Sequence, residues 1–138
     1  MTSIHQMHER LRSADGIETL LDAAHDAFAG LLSIIRAHED PADGLFIPLV
    51  TAAASAAEGR NAITFAPSLP PRRLHPATAA AELGDTNITV GLAALSELLA
   101  TRLMDAAHDA PDRGDQAACH TAARCARDIH ALLTGTGP

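Results

Sequence analysis

Lysine, tryptophan and tyrosine are all missing from this sequence of 138 residues, and three phenylalanines are its only aromatic residues. Without lysine, the chain has no side-chain amine for a Schiff base or for a Walker-type contact to phosphate. Without tryptophan and tyrosine, it lacks typical stacking platforms for nucleic-acid bases and the usual anchors of protein interfaces. All the strongly basic residues are arginine, which, together with the many alanines, indicates the composition bias of a GC-rich bacterial genome.

Positive charge is also scarce. The net charge is −7 with neutral histidines, whereas nucleic acids and anionic membranes attract proteins through a positive field. No run of residues approaches the roughly 18 apolar positions of a membrane span, and the first residues lack the apolar core of a signal peptide. We therefore expect neither nucleic acid nor membrane as a partner, and a cytoplasmic location.

The only two cysteines, Cys119 and Cys125, are six residues apart. On one helix they point about 120° apart, so they cannot form a disulfide with each other. This favours a reducing compartment, and Cys125 falls on the apolar stripe of its predicted helix. We expect both thiols to serve as small apolar side chains rather than as zinc ligands or nucleophiles.

Apolar residues recur at helical spacing along most of the chain, and no segment alternates like a strand. The spacing predicts helices over about 3–13, 16–38, 46–64, 87–109 and 112–133. A loop is predicted at 39–44, a short helical turn at 77–83 and a disordered tail from about 134.

Four prolines between 66 and 76 exclude the interior of a regular helix, so this segment is predicted to be an extended crossover. The fold class predicted for the whole chain is all-α, in a single domain over 1–138. The architecture is an antiparallel bundle of four main helices plus one or two short helices.

The helix predicted over 46–64 carries an unusual run of small residues, TAAASAAEG. Small side chains let two helix axes approach closely, but they also leave room for an apolar ligand. Both interpretations remain open from the sequence.

Two nearly identical stretches hold an acid and a histidine three residues apart. They are LLDAAHDA, with Asp22 and His25, and LMDAAHDA, with Asp105 and His108. On a helix this spacing places the acid and the histidine on one face. The pattern resembles the E-x-x-H units of ferritin-like di-iron bundles, and the resemblance implies a di-metal oxidoreductase or a metal-storage protein.

In that hypothesis Glu58 and Asp128 supply the single carboxylates from the other two helices. Two features count against it. The acid and histidine of each unit lie beside the apolar stripe of their helix rather than within it. Aspartate is also shorter than glutamate and needs closer helices. We therefore expect solvated side chains, no metal ligands and no cofactor.

Two short motifs have simpler explanations than the functions they suggest. Residues 67–72 match P-x-x-P-x-R, a pattern of polyproline-type ligands, but a stiff connector explains the segment much better. Arg113-Gly114-Asp115 spells an adhesion tripeptide, but a turn that opens a helix accounts for it.

The sequence favours a non-enzymatic helical protein that works by binding. The apolar arcs of the helices at 16–38 and 87–109 are wider than a heptad seam, and in so small a chain such arcs often meet in a dimer interface. We expect a homodimer at micromolar concentration, with an unknown protein or small apolar ligand as further possible partners. The alternatives are a metal-binding bundle with the two D-x-x-H units and a bundle that senses a small ligand.

The eight histidines predict a loss of solubility in mildly acidic solution. Protonation of all of them would move the net charge from −7 to +1, and the isoelectric point is about 5.5. A protein near zero net charge associates more readily. Turbidity should therefore rise as the pH falls from 7 to 5, and a flat scan over that interval would contradict the prediction.

Overall fold

Five α-helices make up most of the described chain. The computed structural model describes residues 4–37, 46–70 and 85–135, and no β-strand occurs among them. The helices are α1 (Ile4–Ser13), α2 (Ile17–Ala37), α3 (Phe46–Thr64), α4 (Asp85–Asp109) and α5 (Arg113–Thr134). The prediction of an all-α fold with four long helices and a short one is confirmed. The loop predicted at 39–44 and the helical turn predicted at 77–83 lie outside the described residues.

The four long helices form a closed ring of contacts, in which α2 packs on α3, α3 on α5, α5 on α4, and α4 on α2. Neighbours in the ring run antiparallel. Pro67, just beyond the end of α3, lies against Gly114 at the start of α5. Ile17 at the start of α2 and Asp109 at the end of α4 line one groove. A turn of three residues joins α4 to α5.

The connection from α3 to α4 is a crossover rather than a hairpin. Since both helices are antiparallel to α5, the end of α3 and the start of α4 lie at opposite ends of the bundle. The first residues of this connection are not helical. The N–H of Ala66 donates to the carbonyl of Ile63, and the N–H of Leu69 donates to the carbonyl of Ala66, so the chain makes two successive turns. The crossover predicted at 66–76 is therefore confirmed in its topology, while residues 71–76 lie outside the described part.

Helix α2 is central because it contacts three other helices, α1, α3 and α4. Its buried residues are Leu20, Leu21, Ala23, Ala24, Ala27, Phe28, Gly30, Leu31, Leu32, Ile34 and Ile35. At 100° per residue they cover about half of the helix circumference. The wide apolar arc seen in the sequence is thus buried within a single chain.

Helix α1 covers the side of the bundle where α2 and α4 meet. Its apolar face is small, and Met7 and Leu11 are its buried residues. Arg102 of α4 donates hydrogen bonds to the carbonyl oxygens of Leu11, at 3.2 Å, and of Ala14. Carbonyls at a helix end have no partner within the helix, so this guanidinium both satisfies them and holds α1 in place.

Both ends of α5 carry the capping residues that its sequence provides. Asp112 is the N-cap, and its carboxylate accepts hydrogen bonds from the backbone N–H groups of Gly114 and Asp115. Gly135 takes the left-handed conformation at the C-cap, with φ of 71°, and its N–H donates to the carbonyl of Ala131. Such a conformation strains residues that carry a Cβ, which explains the glycine.

Small residues bring α3 close to α2. From residue 49 onward, the buried residues of α3 are Leu49, Ala52, Ala53, Ala56, Gly59 and Ile63. At Gly59 the ring of Phe28 occupies the space that a side chain would take, and an added Cβ would lie 2.4 Å from it. Of the two interpretations of the alanine-rich run, close packing holds at this position.

Replacing Gly59 with alanine should lower the free energy of unfolding by up to about 2 kcal/mol. The added methyl group overpacks the Phe28 ring, an effect of about 1–3 kcal/mol that the better helix propensity of alanine offsets by about 1 kcal/mol. Denaturation with urea measures the change. Thr121→Ala is the control, because Thr121 is exposed on α5, away from this contact. The packing argument fails if Gly59→Ala stabilises the protein as much as the control does.

Candidate functional site

The first D-x-x-H unit lies on α2, with Asp22 and His25 both half-buried. Arg10 of α1 contacts the Asp22 carboxylate at 3.2 Å and the Asp26 carboxylate at 2.5 Å. One guanidinium thus bridges two carboxylates that are four residues apart on the same face of α2. Asp22 helps to hold α1 on the bundle.

The second unit, Asp105 and His108, is exposed on α4, and Glu58 is exposed on α3. Asp128 is likewise exposed on α5. Within residues 4–37, 46–70 and 85–135, no group of three or more histidine, cysteine, aspartate or glutamate side chains could hold a metal ion. The di-metal hypothesis therefore has no cluster of ligands to support it in the described part of the chain.

Both cysteines are free and buried on α5. Burial raises the pKa of the Cys119 thiol to about 11, and the negative charge of Asp115 adds to the effect. Burial likewise raises the pKa of Cys125 to about 11, with further contributions from Glu58 and Asp128. Since the thiolate is the reactive form, neither group is poised as a nucleophile at neutral pH.

A buried carboxylate links the crossover to α5. The spacing of residues in the sequence did not reveal this link. Asp115 is 1% exposed, and its two oxygens accept hydrogen bonds from the backbone N–H of Ser68 at 2.9 Å and from the Ser68 hydroxyl at 2.5 Å. Asp115 lies in the first turn of a capped helix, where the helix dipole favours an anion. This position is the feature of the sequence that could have indicated a structural role for Asp115. The aspartate of the adhesion tripeptide is thus part of the fold and is not presented to a receptor.

Two shallow grooves lie on the described surface. One, of about 370 Å³, runs between α4 and α5 and is lined by Glu97, Ala100, Thr101, Met104, Asp105, Arg127 and His130. The other, of about 330 Å³, includes Ile17, Leu20, Arg102 and Pro111 in its lining. Both linings combine charged and apolar groups, and neither groove lies under α3, where the alanine-rich run leaves room for an apolar ligand.

The outward surface of α3 differs from those of the other long helices in having little charge. Its exposed residues, which we call the α3 outer face, are Val50, Thr51, Ala54, Glu58, Asn61, Thr64 and the adjoining Phe65. Glu58 is the only charged residue among them. Phe65 is 83% exposed and Val50 is 42% exposed, and the third large exposed hydrophobic residue in the described chain, Val90, lies on α4. The sequence pattern did not reveal this surface.

The apolar residues of α3 are spread around the helix instead of being collected on one side. A helix of this composition is usually buried all around. Among the described helices, α3 contacts only α2 and α5, so these helices leave the outer face uncovered.

Comparison of the chain with protein-family models, with curated proteins and with solved structures gave no match. Among the described helices, none combines the length and the apolar character that crossing a bilayer requires.

The raised thiol pKa values predict slow modification of both cysteines in the folded protein. At pH 8 a thiol with a pKa of about 11 has about a hundredfold less thiolate than one at the ordinary value of 9.0, and burial further limits access of the reagent. Labelling with iodoacetamide at pH 8, followed by mass spectrometry, should show little modification over times that label a small thiol completely. The same protein in concentrated urea is the control and should take up two labels. Rapid labelling of the native chain would contradict the assigned burial.

Proposed function

We propose that this chain is a non-enzymatic interaction protein that self-associates as a homodimer, with the α3 outer face as its contact surface. The observation that carries the proposal is the exposure of Phe65 and Val50 on a helix face with a single charged residue. Apolar area removed from water contributes about 25 cal/mol per Å², and Phe65 has the largest exposed fraction of any large hydrophobic side chain described. Covering this face is therefore favourable.

The basis of the dimer prediction changes with the structure. In the sequence, the wide apolar arcs of the helices at 16–38 and 87–109 favour a dimer. In the fold these arcs are buried: α2 packs against three helices, and α4 packs against α5, α2 and α1. Support for self-association comes instead from the exposed side of α3.

The interface that α3 can provide is modest in size. A helix of 19 residues is about 28 Å long. Together with the edges of α2 and α5, it falls at the lower end of the roughly 1,200–2,000 Å² buried in stable complexes. A dissociation constant in the micromolar range is consistent with such an area.

Sedimentation velocity over a concentration series tests the proposal. The wild-type chain should be dimeric at about 50 µM and dissociate on dilution. Phe65→Ser should weaken the dimer by at least tenfold, since a polar residue removes the largest apolar group of the contact. Because Phe65 is 83% exposed, the variant and the wild type should unfold at nearly the same urea concentration when both are dilute enough to be monomeric.

Val90→Ser is the matched control, because it also removes an exposed apolar side chain, 68% exposed, but from α4. It should leave the association constant unchanged. A wild-type chain that sediments as a monomer at 50 µM would refute self-association, and an equal loss of dimer in both variants would show that the α3 outer face has no special role.

A further inference from the structure

We infer that α1 undocks from α2 and α4 while the ring of α2, α3, α4 and α5 stays folded, and that the ion pairs of Arg10 keep it docked. Undocking uncovers the seam where α2 and α4 meet. The chain then has a docked and an undocked state, and ionic strength shifts the balance between them. This inference goes beyond the proposed function and does not depend on self-association.

The ring of long helices is complete without α1. Each of its four helices contacts two others of the four, and α2 contacts α4 directly. Among the described helices, α1 contacts only α2 and α4. Loss of the contacts of α1 therefore breaks none of the helix pairs from which the ring is built.

Few apolar side chains hold α1 on the bundle. Met7 and Leu11 are its buried residues, which is fewer than α2 or α5 buries. Ile4 is only partly buried and lies near α4, since a Cβ added at Gly91 would be 3.3 Å from its side chain. An isolated helix as short as α1 is marginal in water, so its order depends on docking. Elements with few buried contacts open at a lower free energy than the core does.

Two arginines add polar contacts to this small apolar area. Arg10 reaches the carboxylates of Asp22, at 3.2 Å, and Asp26, at 2.5 Å, and these three side chains are 30–45% exposed. Arg102 of α4 donates hydrogen bonds to two carbonyl oxygens at and just beyond the end of α1. Salt screens ion pairs that are this exposed, so added salt weakens the hold of Arg10 on α2.

The joint between α1 and α2 permits such a motion. Residues 14–16 separate the two helices. Gly16 has a φ of 86°, and nothing lies within 4 Å of the place where its Cβ would be. Glycine adopts many backbone conformations, and hinges are a few residues that absorb a change of φ and ψ. So short a joint also keeps the undocked helix close to its docking position.

Hydrogen exchange on dilute protein, over a series of urea concentrations below the unfolding transition, tests the undocking. Amides of residues 8–13, beyond the first turn of α1, should be protected in the native chain. They should still exchange at least about tenfold faster than amides of residues 122–126, in the middle of α5. Their exchange should also respond less to urea, because undocking exposes less surface than global unfolding.

Arg10→Gln tests the role of the ion pairs. At low salt the loss of two exposed pairs should speed the exchange of residues 8–13 by about threefold to tenfold. In about 1 M NaCl the difference from the wild type should fall below about twofold, because salt already screens the pairs there. Arg12→Gln is the matched control: Arg12 also lies on α1, but its partner Glu9, at 2.7 Å, is on the same helix. This control should change the exchange by less than about twofold.

Three results would overturn the inference. If α1 and α5 exchange at the same rate or with the same urea dependence, α1 leaves only when the whole chain unfolds. If α1 exchanges as fast as an unfolded peptide, it is not docked at all. If the two substitutions have equal effects, the pairs of Arg10 do not hold α1. None of these results bears on the proposed dimer, which sedimentation tests separately.

Discussion

Burial of the apolar surface of α2 is the constraint on which the rest of the fold depends. About half of this helix is apolar, and no single neighbour can cover so wide an arc. The chain covers it with three helices, of which α1 contributes few buried side chains and is held by Arg10 and Arg102. The need to bury α2 therefore explains why a ring of four helices carries a fifth, short one.

The same constraint decides where the uncovered surface lies. Contacts that bury α2 and α5 use the inner side of α3, where Gly59 and the alanines permit close approach. Because α3 is apolar on all sides, this leaves a weakly charged outer face that includes Val50 and Phe65. In an association through this face, a second chain would cover the exposed side of α3, as α1 covers part of α2.

Polar groups that look functional in the sequence have structural roles where the structure describes them. Asp22, half of a D-x-x-H unit, pairs with the arginine that holds α1. Asp115, the acid of an adhesion-like tripeptide, fixes the first residues of the crossover through Ser68. Both examples follow from the same rule: a buried or half-buried charge needs a partner, and in a small bundle that partner usually joins two elements.

The sequence by itself determined the helices, their approximate ends, the all-α class and the crossover, because these follow from the spacing of apolar residues and from prolines, which act locally. It also determined that the two cysteines cannot bond to each other, because helical geometry fixes the angle between them. Only the tertiary structure decided which faces are covered. The exposure of Phe65, the link between Asp115 and Ser68 and the contact of Gly59 with Phe28 each join residues distant in sequence, and local spacing carries no information about such neighbours.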